Sequence, residues 1–293
     1  MEKKSLYKSE QGKKEILDLY EKKLGSLNID YEYKTIPTRF GDTNMIVTGD
    51  ATKPPIIIIH GSNGCAPVAL ETYKDLIDSF SVYAIDVLAQ PNKSAETRLS
   101  MQDDSYGQWM NQIIDELELE KVTLAGFSFG GLVILKTLIN NEHKIKEVFL
   151  SAPAYVVNGN PIKALIQFFI PMKRYMKTKK SKYLNRFLEA AFTERDDFAQ
   201  QSLALVFTHF TMDFTSVPII KSSDASKIQT PITLIAAEND IIFPGRKMMK
   251  RAKKIFPSLK HIMLLNNSKH VQNRKDNSRI AALIMNKSER FKD

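Results

Sequence analysis

Apolar and polar positions change period several times along the chain, and each change predicts an element. From about Lys8 to Leu24 the pattern is that of a polar amphipathic helix. Two extended pieces follow, "YEYKTIP" and "NMIVTGD". The turn residues Gly41 and Asp42 between them predict a β-hairpin. In "PPIIIIHG" four isoleucines stand in a row, entered from prolines and stopped by His-Gly, as in a strand buried on both faces. Strands and helices then alternate. "SVYAIDV" predicts a strand, and Tyr106, Trp109, Met110, Ile113, Ile114 and Leu117 recur on one helical face. "KVTLAGF" predicts the next strand, "FGGLVILKTLIN" a mostly buried helix, and "KEVFLSAP" a strand ending at Pro153. This βαβα order implies a parallel sheet with helices on both faces.

Between Ala154 and about Ala225 only helix-like patterns remain: "PIKALIQFFIPMKRYM", "KYLNRFLEAAF" and "RDDFAQQSLALVFTHF". The strand rhythm resumes with "PITLIAAEND", then a helix from about Pro244 to Phe256, the strand "HIMLLNNSKH" and a last helix. The expected organisation is an α/β core in two parts, residues 1–153 and 226–293, interrupted by a helical cap over residues 154–225. Such an insertion would lie over the carboxyl ends of the strands, where open α/β sheets bind ligands.

Composition narrows the class. The 293 residues are 43% hydrophobic and 26% charged, as in a globular chain large enough to bury a sizeable core. No apolar run approaches the roughly 18 residues of a spanning helix. The basic start "MEKKSLYKSEQGKKEILDLYEKK" has no apolar stretch behind it to make a signal peptide. Cys65 is the single cysteine, so neither an internal disulfide nor a cysteine metal cluster is available, and a reduced, cytoplasmic protein is expected. The formal net charge of +9 raises the question of anionic partners. Its densest patch, "MKRYMKTKKSKY" from Met172, carries no nucleic-acid motif and reads as a solvated helix face.

Candidate chemistry begins at Gly126-Phe127-Ser128-Phe129-Gly130, a G-x-S-x-G pattern between a strand and a helix. Alone, the pattern also describes a turn eased by small residues. In a strand-turn-helix setting it describes a serine on a sharp, strained elbow, lifted clear of the sheet at a helix N-terminus. A serine hydroxyl needs a base. Of the five histidines, His143 lies in a polar loop and His209 in the helical insertion. His261 opens a strand, and His60 belongs to the turn after the isoleucines. His270, in the polar loop after the last strand, shares the carboxyl edge of the sheet with Ser128. An acid should orient that base. Asp240 is preferred because it lies further into its loop, and Glu238 is the alternative. The oxyanion of acyl transfer needs two N–H donors. Phe129 would supply one, and Ser62, or Asn63 as the alternative, the other.

The landmarks "IIIIHGSNG", "YAIDVLAQPNKSAETR", "LAGFSFGG", "AAENDIIFP" and "NSKH" resemble, in order, those of the α/β-hydrolase fold superfamily with a helical cap. The resemblance runs from about Tyr31 to the end. Within that superfamily the chain is similar to bacterial carboxylesterase-like members of the proline iminopeptidase and haloperoxidase type. It implies a mostly parallel eight-stranded sheet and a Ser128-Asp240-His270 triad. It also implies that Asp86 is structural, bonding the turn that follows it. Two positions depart from the pattern: Ala237 and Lys269 stand where glycines are usual. The lysine introduces a like charge beside the base.

Together these readings predict a serine hydrolase acting on a small ester, thioester or related acyl compound, with no cofactor, metal or nucleic-acid partner and an undetermined oligomeric state. "FFIPMKRYM" would contribute an apolar pocket wall. The alternatives are a ligand-sensing or partner-binding protein of the same fold with little turnover, and a peripheral contact of the basic cap with a lipid surface.

Overall fold

The computed structural model describes residues 5–289. The chain opens with helix α1 (Glu10–Ser26), two residues later than the polar pattern suggests. Ser9 sets that start: its backbone is extended and its hydroxyl accepts the Gly12 amide at 3.0 Å, an N-cap. Strands β1 (Tyr31–Ile36) and β2 (Thr43–Thr48) pair antiparallel as the expected hairpin. Next come β3 (Pro55–Ile59), α2 (Ala66–Thr72), β4 (Ser81–Ile85), α3 (Ser105–Glu116), β5 (Val122–Phe127), α4 (Phe129–Asn140) and β6 (Ile145–Ser151). After a helical stretch the sheet continues with β7 (Ile232–Ala237), α10 (Gly245–Ile255), β8 (Leu259–Leu265) and α11 (Arg274–Glu289).

One eight-stranded sheet results, in the order β1-β2-β4-β3-β5-β6-β7-β8. The pairings β1–β2 and β2–β4 are antiparallel and all others parallel. The isoleucine run explains why β3 is central. Ile57 and Ile59 enter the core on one face with Trp109, Leu132 and Met248, whereas Ile56 and Ile58 enter the other with Leu24, Leu70 and Ile284. Side chains alternate across a strand, so an unbroken apolar run requires cover on both faces, and α3, α4 and α10 provide one layer, α1, α2 and α11 the other. Strand order reverses between β3 and β5: the chain moves from β3 outward to β4, then returns to the other side of β3. The loops after β3 and β5 therefore flank a crevice at the carboxyl edge.

Between β6 and β7 the described elements are helical. They are α5 (Pro161–Ala164), a π-helical turn (Leu165–Phe169), α6 (Ile170–Thr178), α7 (Ser181–Ala191), α8 (Asp197–His209) and α9 (Ser222–Ala225). This stretch has its own apolar cluster, in which Met172, Tyr175, Leu184, Val206, Phe207 and Phe210 are buried. The N-terminal segment straps it to the sheet. Tyr7 bridges Phe210, with Lys8 N–H donating to the His209 carbonyl and Thr211 N–H to the Leu6 carbonyl, both at 2.8 Å. Ile16 of α1 joins this cluster, while Tyr20 and Leu24 of the same helix join the core of the sheet. The polar pattern of α1 gave no sign that its apolar positions serve two separate cores.

Candidate active site

Strand β5 aims at Ser128, and steric necessity dictates its glycines. A Cβ on Gly126 would stand 2.7 Å from Gly130 and from Ile134 Cδ1, and one on Gly130 would stand 2.4 Å from the Ile59 carbonyl oxygen. Ser128 between them has φ +53° and ψ −110°, a conformation L-residues adopt only under constraint. The constraint is visible. Ser128 N–H donates to the Ser151 carbonyl, and its own carbonyl accepts the amides of Gly131 and Ala154, all at 2.9 Å. Although it stands at the N-cap of α4, its hydroxyl does not cap the helix. Ser128 Oγ lies 2.9 Å from His270 Nε2.

His270 sits in the loop after β8, and its Nδ1 lies 2.7 Å from Asp240 Oδ2. Ser128, His270 and Asp240 are 7%, 7% and 3% exposed, so the series is shielded from water, and hydrogen bonds within it are correspondingly stronger. The rings of Phe127 and Phe243 flank the imidazole, with centroids at 5.1 and 5.5 Å. The other carboxylate oxygen, Asp240 Oδ1, accepts the amides of Ile242 at 2.7 Å and Phe243 at 3.0 Å. Both oxygens are thus committed, and the carboxylate cannot rotate away from His270. Glu238, the alternative acid, is engaged by Arg246 at 2.5 Å and by the Asn267 amide at 3.2 Å.

The loop after β3 folds back against Ser128: a Cβ on Gly61 would lie 3.3 Å from Ser128 Cβ. Gly64 N–H closes a turn on the Gly61 carbonyl at 3.1 Å, with Asn63 at φ +59°. Asn63 N–H is already donated to Gln90 Oε1 at 2.7 Å, whereas no protein acceptor is recorded for Ser62 N–H among the described residues. Phe129 is the first residue of α4, so its N–H has no acceptor within the helix. Of the two donors considered in the first loop, Ser62 is the one left free.

His60 anchors this loop. It is 3% exposed, and its Nε2 accepts the Val87 amide at 3.0 Å, which leaves the proton on Nδ1, 2.7 Å from the Gly61 carbonyl. Burial disfavours the imidazolium and pushes its pKa down to about 4. Asp86 is fully buried and holds the same neighbourhood together. Its Oδ1 accepts the Ala66 amide at 2.7 Å, and its Oδ2 accepts Asn44 Nδ2 at 2.8 Å and the Tyr20 hydroxyl at 3.0 Å. The expected bond to the following turn, from Lys93 N–H, is the longest at 3.4 Å. Burial raises this carboxyl to about 6.

The other histidines lie elsewhere. His143 is in a loop, His261 falls inside β8 rather than at its start, and His209 faces Glu15 of α1 at 3.5 Å. Lys269 sends its ammonium to the Glu189 carbonyl on α7 at 2.5 Å. Cys65 is the buried N-cap of α2. The apolar wall expected from "FFIPMKRYM" is not formed as written. Phe168 and Met172 are buried in the helical cluster, but Phe169 and Ile170 face outward. A cleft of about 930 Å³ opens between α1, α2 and the start of α8, reaching Ser62, Phe127, Phe192 and Val271 beside the hydrogen-bonded series. Among the described residues no cluster of His, Cys, Asp and Glu is placed to hold a metal ion, and no helix is long and apolar enough to cross a membrane.

One contact at the site had no signature in the sequence. Lys269 N–H donates to Thr193 Oγ1 at 2.9 Å, and that hydroxyl donates to the Val271 carbonyl at 2.7 Å. Thr193 N–H also donates to Val271, and Val271 N–H to the Ala191 carbonyl. The segment after α7 therefore grips the chain on both sides of His270.

A strained serine after the fifth strand, a histidine after the last and an acid after the seventh define a class. The family model of the alpha/beta hydrolase fold matches residues 54–203, and the chain belongs to that family. Its sequence is 24% identical over 281 residues to Carboxylesterase YbfK of Bacillus subtilis (strain 168), covering 87% of this chain and 90% of that one. It is 29% identical over 119 residues to the uncharacterized carboxylesterase nap of the same organism, covering 41% of this chain and 40% of that one. Among solved structures, carboxylesterase CesB (YbfK) from Bacillus subtilis superposes with a TM-score of 0.81 at 18% identity, covering 94% of this chain and 99% of that one. Naproxen esterase from Bacillus subtilis superposes with a TM-score of 0.80 at 20% identity, over 95% and 98%.

Proposed function

We propose that the protein is a serine hydrolase that cleaves a small carboxylic ester through an acyl-enzyme, and that thioesters and related acyl compounds fall within its reach. The observation that carries this reading is the buried series Asp240–His270–Ser128, ending on a hydroxyl held at positive φ. In the first step His270 Nε2 takes the Ser128 Oγ proton as Oγ bonds to the substrate carbonyl carbon. The oxyanion is held by the N–H groups of Ser62 and Phe129. Collapse breaks the bond to the leaving oxygen, which receives the proton from His270. Water, deprotonated by the same imidazole, then releases the acid and restores Ser128. Asp240 keeps the second ring proton on Nδ1 and stabilises the imidazolium in both halves.

The helices between β6 and β7 act in this reading as a cap, and the cleft they share with α1 and α2 receives the acyl or alcohol group. The similarity to two carboxylesterases supports an ester as the scissile group. Labelling with a fluorophosphonate tests the assignment. The wild type is expected to be labelled and the Ser128→Ala protein not, with hydrolysis of p-nitrophenyl esters lost in parallel. Labelling that persists in Ser128→Ala overturns the nucleophile. Labelling without turnover on a broad ester panel moves the protein to the sensing class.

A further inference from the structure

The helical stretch after β6 carries an apolar ridge on its outer side. Ile162, Leu165 and Ile166 are 66%, 51% and 56% exposed, and Phe169 and Ile170 continue the same helical spacing toward α6. Phe168, Met172 and Tyr175 of the same helices face inward, so the inner face is satisfied and the ridge is additional apolar surface. Phe214, also exposed, closes its side, and Leu165, Phe169, Ile170 and Phe214 border one shallow groove with Lys173 and Arg174.

The charge along the helices that form the ridge is of one sign, and Asp213, next to Phe214, is paired with Arg98 at 3.8 Å. From Ala154 to Leu188 the sequence holds Lys163, Lys173, Arg174, Lys177, Lys179, Lys180, Lys182 and Arg186 and not one acidic residue. These eight charges nearly account for the formal net charge of +9. None is in a salt bridge among the described residues. Several lie over aromatic rings instead: Lys173 over Phe214 at 4.1 Å and Arg174 over Tyr183 at 5.6 Å. The expectation of a merely solvated face does not account for five large apolar side chains beside them.

We propose that this ridge docks on an anionic lipid surface, with the apolar side chains entering the headgroup boundary and the basic residues facing acidic headgroups. An exposed apolar stripe flanked by lysine and arginine is the arrangement that lies in a bilayer interface. A second copy of the chain fits poorly, since it would set Lys173 and Arg174, the two charges that border the groove, against the same pair. The docking face also lies close in the chain to the site. Gly159, three residues before Ile162, donates at 2.7 Å to the Ile242 carbonyl in the loop that carries Asp240. The inference does not depend on the hydrolase reading, because lipid binding is measured without turnover.

Co-sedimentation of the full chain with vesicles of equimolar phosphatidylglycerol and phosphatidylcholine is the test. Binding is expected to the mixed vesicles, to weaken as salt is raised, and to be marginal on pure phosphatidylcholine. Ile166→Ser/Phe169→Ser and Lys173→Glu/Arg174→Glu should each lower partitioning roughly tenfold or more. Their thermal melting should match the wild type, since the replaced side chains are exposed. Failure of the wild type to sediment, equal binding to neutral vesicles, or unchanged binding of both variants overturns the proposal. So does a wild-type dimer that Phe169→Ser dissociates, which would assign the ridge to a second copy.

Discussion

Thr193 Oγ1 donates to the carbonyl of Val271 at 2.7 Å, joining the chain between α7 and α8 to the residue that follows His270. The same oxygen accepts the Lys269 amide, so one hydroxyl holds the chain one residue before and one residue after His270. Nothing in this contact touches a reacting atom, and Thr193 is therefore a positioning residue. Thr193→Val removes both bonds at constant shape. A shift of His270 by a fraction of an ångström lengthens the path to Ser128 Oγ, and turnover should fall roughly ten- to a hundredfold. KM should stay near the wild-type value, and Thr193→Ser should recover most of the loss. Steady-state kinetics on one p-nitrophenyl ester, with the thermal melting of each variant measured alongside, separate these outcomes from a general loss of stability.

Asp240 and Glu238 stand two residues apart, yet only Asp240 meets His270, the proposed base. In Asp240→Asn the amide group can present a donor to Nδ1, which favours the wrong tautomer and leaves the developing imidazolium without its counter-charge. Turnover should drop by roughly 10⁴ with the fold intact. Glu238→Gln loses the pairing with exposed Arg246 and should change turnover by no more than a few-fold. If Glu238→Gln is the damaging change, the acid has been assigned to the wrong carboxylate.

The oxyanion donor proposed at Ser62 is a main-chain group, so it must be removed by changing the backbone. Ser62 occupies the second position of the turn closed by Gly64 N–H on the Gly61 carbonyl, where proline is accepted. Ser62→Pro deletes the N–H and retains the turn, and Ser62→Ala retains both. The proline variant should lose roughly 10²- to 10³-fold in kcat while the alanine variant stays close to wild type. Equal activities would shift the donor to another group.

Much of this site was legible because each of its groups ends a strand. The isoleucine run, "LAGFSFGG" and "AAEND" place His60, Ser128 and Asp240 on one edge by strand polarity alone, and "NSKH" adds His270. Choices within a loop were harder. Asn63 N–H is set apart from Ser62 N–H by a hydrogen bond to Gln90, a residue of a different loop, and Asp240 from Glu238 by which carboxylate meets His270 and which meets Arg246 on α10. Thr193 carried no signal, since its role depends on how the chain leaving α7 meets the chain leaving β8. The same holds for "FFIPMKRYM". Its apolar positions fit a helix, but periodicity cannot say which face meets a neighbour, and Phe169 and Ile170 turned outward.

His60 offers a test that reads stability rather than turnover. Its folded pKa lies near 4, below the 6.5 of an unperturbed imidazole, because the neutral ring is buried between Val87 N–H and the Gly61 carbonyl. Between those two values the unfolded chain binds a proton that the folded chain refuses. Stability therefore falls as pH drops from about 6.5 to about 4, by up to about 3 kcal/mol from this group. Asp86 works in the opposite direction: its carboxyl, raised to about 6, is protonated first in the folded state, so it favours folding as pH drops through that value. The wild-type profile is the sum of the two. His60→Gln keeps a side chain able to bond Val87 and Gly61 but removes the titration. The difference in unfolding free energy between wild type and variant, measured in urea across this range, should be largest near neutrality and shrink steadily toward pH 4. A difference that does not vary with pH would mean that His60 is not held neutral, and that the loop bearing Ser62 is anchored by something other than its buried imidazole.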